Sequence, residues 1–148
     1  MGEFLGRELW IEYPGTVYHV IKRGNNREFI FDKPNDKNAL LDGLRIYKDK
    51  IGFTLFGYVI MGNHYHLIIK THHIPLQKIM QVINNRYSKY YNSVYQRTGH
   101  VFGGQYKAIP VQGDRYLLTL LRYVYQNLIR AMLCQYPWNS DNDHGEEI

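Results

Sequence analysis

Apolar and polar residues alternate through residues 15–24, "GTVYHVIKRG": Val17, His19 and Ile21 oppose Tyr18, Val20 and Lys22 between two glycines. That period of two predicts a strand. The following "GNNREFIFDKPND" carries turn residues at both ends and predicts a loop. In "DKNALLDGLRIYKDK" the period lengthens, with Leu40, Leu41, Leu44 and Tyr47 at helical spacing and Asp36 as the expected cap. "IGFTLFGYVIM" and "HYHLIIKT" predict two further strands joined at Gly62-Asn63 as a hairpin.

From Pro75 a single stripe runs Leu76, Ile79, Met80, Ile83, Tyr87, Tyr90 and Val94, with Gln77, Lys78, Asn85 and Lys89 largely off it. This predicts an amphipathic helix opened by proline in its first turn. "RTGHVFGGQ" reads as loop, and "YKAIPVQG" as a short strand that Pro110 keeps at a sheet edge. Asp114 is expected to cap a last helix running to about Cys134, and the tail after Trp138 is expected to fray. The order strand, helix, strand, strand, helix, strand, helix suits an α+β fold. Its antiparallel sheet would carry helices packed on it, of the ferredoxin-like split βαβ kind.

The 148 residues suffice for one domain with its own core, and no repeat, low-complexity tract or Pro/Ser-rich linker divides them. A composition of 45% hydrophobic and 21% charged residues is globular, and no apolar run approaches the roughly 20 residues that span a bilayer. "MGEFLGRELW" lacks the basic-then-apolar order of a secretory signal. The lone Cys134 cannot form an internal disulfide, so a reducing cytoplasm is the expected compartment. The formal net charge is +5, and much of the acid sits at the two ends, which leaves the middle more basic and favours a polyanionic partner. The 14 tyrosines cut both ways: phenol rings stack on unpaired bases, yet so many make packing the default role of any one.

On a strand, His64 and His66 in "MGNHYHLIIK" point one way and Tyr65 the other, so two imidazoles could share a metal. Alone the pattern is weak, because such pairs are more often structural. The last helix adds to it. Leu117, Leu121, Val124 and Leu128 make a core stripe, while Tyr116, Leu120, Tyr123, Asn127 and Arg130 make a second one at spacings of four, three, four and three. One reading is an amphipathic helix whose tyrosine covers the sheet edge. The other is a phenolic nucleophile, an amide ligand one turn later and an arginine for phosphate. Tyrosine is only about 0.1% phenolate at neutral pH and needs an aligned electrophile. A divalent ion on two imidazoles and an amide would keep positions open for phosphate oxygens.

These residues are similar to the single-tyrosine HUH transposases of the smallest bacterial and archaeal insertion sequences, and most resemble their REP-associated branch. The resemblance runs from "GTVYHVIKRGNN" through "YVIMGNHYHLIIKT", "RYSKYYNSVYQRTGHVFGGQYKAIPV" and "DRYLLTLLRYVYQNLIRAML" to "YPWNS". It implies the HUH endonuclease fold, an antiparallel sheet of ferredoxin-like or RRM-like form. It further implies metal ligation by His64, His66 and Asn127, a nucleophile at Tyr123, Mg²⁺ or Mn²⁺ as cofactor, and hairpin-bearing single-stranded DNA as substrate. The chain departs from that branch at Asn127-Leu128, where Asn-Pro is usual, and at Gln105, where a basic residue is common. Gln126 stays open as the third ligand if the helix is rotated.

Lys22, Arg23, Lys70, Arg86, Lys89, Lys107, Arg122 and Arg130 together suggest a phosphate track, although each alone reads as a solvated charge. His19 reads as packed rather than ligating, and His72 and His73 as solvated at a strand end. The function expected is therefore strand transfer in DNA transposition through a 5′-phosphotyrosine intermediate. A catalytically silent nucleic-acid-binding sheet and a metal hydrolase using activated water are the rivals. A homodimer stays open, since moving an element involves two ends and each chain carries one nucleophile.

Overall fold

The computed structural model describes residues 14–135, with side chains as far as residue 126. The elements are β1 (Val17–Arg23), α1 (Pro34–Tyr47), β2 (Phe53–Ile60), β3 (His64–Thr71), α2 (Leu76–Tyr95), β4 (Lys107–Val111) and α3 (Asp114–Gln135). The strands form one antiparallel sheet in the order β2-β3-β1-β4. Each helical connection, β1-α1-β2 and β3-α2-β4, skips one strand, which is the split βαβ topology expected from the order of elements.

Strand alternation gives the sheet two different faces. Tyr18 and Val20 of β1 and Tyr65, Leu67 and Ile69 of β3 join Leu40 and Leu44 of α1 and Leu76, Ile79, Met80, Ile83 and Tyr87 of α2 in the main core. The opposite face carries Val59 of β2, Ile68 of β3 and Val111 of β4, packed with Leu120 and Val124 of α3. Leu120, placed by spacing on the polar stripe, is thus part of the buried set. Gly57 lets α3 come close: a Cβ there would sit 3.2 Å from Leu121 Cδ2. A bulge at Phe56, between the Leu55 and Gly57 pairings, brings Gly57 opposite Ile68 on that face.

The hairpin forms where expected: Met61 N–H bonds the His64 carbonyl at 2.8 Å, with Gly62 and Asn63 at the tip. Pro110 does lie on the edge strand β4. The helix starts differ by a residue or two from the sequence reading. α1 begins at Pro34, whose fixed φ suits a first helical position, and Asp36 lies three residues inside the cap, accepting the Lys33 N–H at 3.1 Å. Pro75 is the cap of α2 rather than part of its first turn. At the start of α3, Gly113 supplies the first accepting carbonyl, to Leu117 N–H at 3.1 Å, and Asp114 occupies the first helical turn.

The α2 stripe ends before Val94, which is 52% exposed. The segment 24–33 is irregular, as expected, but not superficial: Ile30 and Phe31 are buried in the main core. Burying each contributes about 1.5–3 kcal/mol, which anchors this loop to the core. Its backbone is pinned by Asn25 N–H to the Val101 carbonyl and Phe31 N–H to the Gly62 carbonyl, at 2.8 and 2.9 Å. The predicted tail after Trp138 lies outside the described residues.

Candidate active site

His64 and His66 lie on β3 on the face that α3 covers, half-buried, with ring centroids 5.0 Å apart. The sheet register sets their neighbours. Across one row run Lys107, Ile21, His66 and Val59, and across the next Arg23 and His64. Arg23 and Lys107 are exposed, so cationic groups flank the imidazoles on the open side. Val59, the cross-strand partner of His66, belongs to the same buried cluster as Val124 of α3.

Each imidazole is tethered through the same ring atom. His64 Nδ1 donates to the Asn63 amide oxygen at 2.8 Å. His66 Nδ1 meets His19 Nε2 at 3.0 Å. The His19 and His66 rings are 5.2 Å apart with planes 22° from parallel. That separation is about the nitrogen–nitrogen distance plus two ring radii, so the rings meet end to end along a hydrogen bond. In both cases Nε2 is the ring nitrogen left over.

All three rings favour the neutral form. Burial, followed by the neighbouring His64, His19 and Arg23, holds His66 down to about 4. Burial and then Arg23 lower His64, and burial lowers His19. Neutral imidazoles with a protonated Nδ1 and an open Nε2 are the form in which histidine binds a metal. Among the described residues no three His, Cys, Asp or Glu side chains form a closed metal site.

Tyr123 stands on α3, 54% exposed, one residue before the inward-facing Val124. Asn127 follows one turn later on the same helix, about 40° around the axis from Tyr123. Its side chain, like that of Arg130, lies outside the described ones. Tyr116, Arg122, Tyr125 and Gln126 are all exposed on α3. Tyr125 points some 200° away from Tyr123, and Tyr116 sits about two turns, roughly 10 Å, back along the axis.

The described basic residues of the expected phosphate track lie on more than one face. Lys22 is buried on the opposite face, its ammonium donating to the Gly104 carbonyl and lying 5.8 Å from the Phe102 ring centre. Lys70 shares the histidine face but pairs with Val17 and Thr54 at the far end of β3. Arg86 and Lys89 line a groove of about 940 Å³ between α1 and α2, with Asn35, Asn38 and Asp42. Among the described basic residues of the sheet, Arg23 and Lys107 are those that share the histidine face at the end where His64 and His66 lie. Two contributors escaped the sequence reading, Asn63 and His19. Strand parity put His19 on one face with Val17 and Ile21, but only the β1–β3 register shows that this is the histidine face and brings His19 to His66.

The chain is thus a split βαβ sheet whose β3 carries a histidine pair on the face that also packs α3. A family model described as "Transposase IS200 like" matches residues 13–127, and the chain belongs to that family. It is a transposase, an enzyme acting on DNA. Among solved structures, it is similar to a REP-associated tyrosine transposase bound to a REP hairpin, with a TM-score of 0.64 and 13% identity over 88% of this chain and 74% of that one. A second, from Deinococcus radiodurans R1 and assigned as a transposase, matches with a TM-score of 0.55 and 15% identity over 85% of this chain and 97% of that one. At these identities the likeness shows the fold alone. No curated protein matches the sequence significantly. No helix among the described residues is long and apolar enough to cross a membrane.

Proposed function

We propose that this transposase cuts and rejoins single-stranded DNA through a covalent bond between Tyr123 and the 5′ phosphate of the cut strand. What carries the reading is that His64 and His66, on one sheet face, each make their hydrogen bond through Nδ1, which keeps both Nε2 atoms out of those contacts. His64, His66 and the amide of Asn127 would hold Mg²⁺ or Mn²⁺, with Gln126 as the alternative amide. When bound, the ion supplies charge neutralisation at the scissile phosphate and orients it in line.

The rest of the chemistry falls to this chain's own groups. The Tyr123 phenol oxygen attacks phosphorus, its proton leaving to solvent, and the bond from phosphorus to the 3′ oxygen breaks. The departing oxygen takes up a proton and leaves a free 3′-hydroxyl. A 3′-hydroxyl attacking the phosphotyrosine reverses these steps, so strands rejoin without an external energy source. Arg23 and Lys107 flank the histidines and would hold the phosphates on either side. Hairpin DNA with a single-stranded flank is the substrate class, consistent with the hairpin-bound relative.

The test is a hairpin with a single-stranded flank, labelled at its 3′ end so that the label stays with the 5′-phosphotyrosine fragment, incubated with Mn²⁺ and resolved under denaturing conditions. A labelled protein band is expected, and none with Tyr123→Phe. A band that persists in that variant assigns the wrong tyrosine, and cleavage without any adduct means that water is the nucleophile.

A further inference from the structure

We propose that His19 is a positioning residue for His66: it accepts the His66 Nδ1 proton and so fixes the tautomer whose Nε2 lone pair faces outward. The inference rests on the metal-ligand reading of His64 and His66 given above. Only one proton fits between His19 Nε2 and His66 Nδ1, 3.0 Å apart. If His19 donated it, the His66 proton would sit on Nε2, and that nitrogen could bind no ion. If His66 donates, its Nε2 is open, matching His64, whose Nδ1 proton is committed to the Asn63 oxygen because an amide oxygen only accepts.

The surroundings suit a fixed ring. His19 is 8% exposed, and its cross-strand neighbours are Ile68 and Ile109, so no competing polar group comes from the flanking strands at its own level. The end-to-end approach at 22° between ring planes is the alignment a directional bond requires, whereas simple ring packing would have no such demand. Asn63 sits beside one histidine in sequence, while His19 reaches the other from a neighbouring strand. The two imidazoles are thus set by one local contact and one long-range contact.

The discriminating measurement is the tautomer itself, read from long-range proton–nitrogen NMR spectra of the metal-free, nitrogen-15-labelled protein. Wild type should show His66 protonated at Nδ1 alone. His19→Phe keeps a ring of similar size but has no acceptor, so His66 should become a mixture of tautomers while the backbone spectrum is retained. His19→Gln, whose amide oxygen accepts, should restore the Nδ1 form, and it also serves if the phenylalanine variant fails to fold. Mn²⁺ affinity should fall about tenfold in His19→Phe and recover in His19→Gln. A His66 ring that stays fully Nδ1-protonated in His19→Phe, or that carries its proton on Nε2 in wild type, overturns the assignment. The metal-ligand reading is judged separately: Mn²⁺ that leaves the wild-type His64 and His66 signals unchanged overturns that reading, whatever the tautomers show.

Discussion

The two faces of the sheet use similar residues for opposite ends. Beneath α1 and α2, tyrosines are structural: Tyr65 donates to the Asn84 amide oxygen at 2.6 Å, and Tyr87 to the Ile30 carbonyl. Tyr90 and Tyr95 both donate to Asp36, at 2.7 Å each. Burial raises the Tyr87 phenol above its ordinary range, and burial together with the Asp36 bond pushes Tyr90 up to about 12. None of these phenols is placed to become a nucleophile. On the other face α3 covers Ile68 and Val59 but leaves Arg23, Lys107 and Ile109 exposed beside half-buried His64 and His66. There the tyrosine, Tyr123, faces solvent. The proposed chemistry uses the incomplete cover, and the complete one supplies stability.

The largest break in that comparison is expected from Tyr123→Phe. Adduct formation should fall below detection with the melting temperature unchanged, because the ring remains and its hydroxyl is on an exposed position. Tyr87→Phe should do the reverse, costing about 1 kcal/mol in denaturant unfolding through the lost bond to Ile30 and leaving the adduct intact. Next comes the ion. His64→Ala with His66→Ala should abolish both cleavage and Mn²⁺ uptake measured by calorimetry, and a chelator should stop cleavage by wild type. Retained cleavage in the double variant would dissociate the histidines from the chemistry.

Asp36→Ala sharpens the closed face. It removes the acceptor for Tyr90, Tyr95 and the Lys33 N–H, and should cost about 2–4 kcal/mol by chemical denaturation. Mn²⁺ affinity should not move, since Asp36 lies on the far side of the sheet. The smallest effect is electrostatic. Arg23→Ala or Lys107→Ala should each lower the salt slope of binding to a short single strand by about one. Arg86→Ala with Lys89→Ala should leave that slope alone, because their groove opens between α1 and α2. Equal slopes for both pairs would mean that DNA does not distinguish the faces.

Period two through residues 15–24 and 64–71, period 3.6 through 76–90, and the Gly62-Asn63 turn are local signals, and by themselves they determined the strands, the long helix and the hairpin. The same alternation put His64 and His66 on one face, and four-residue spacing put Tyr123 and Asn127 on one side of a helix. Such features depend only on dihedral geometry along a short stretch. Tertiary structure decided what required two distant segments to meet. Lys22 reads as an exposed cation until the 99–106 loop closes over it, and Ile30 and Phe31 read as loop until α2 and β3 provide a core to fill. Asp36 reads as a helix cap until two tyrosines 54 and 59 residues away bond to it. His19 reads as packing until the β1–β3 register, 47 residues apart in sequence, sets its Nε2 against His66. A side chain's direction is written in its own backbone, but its partner is fixed by strand register and helix docking, which sum over many residues and are legible at none of them.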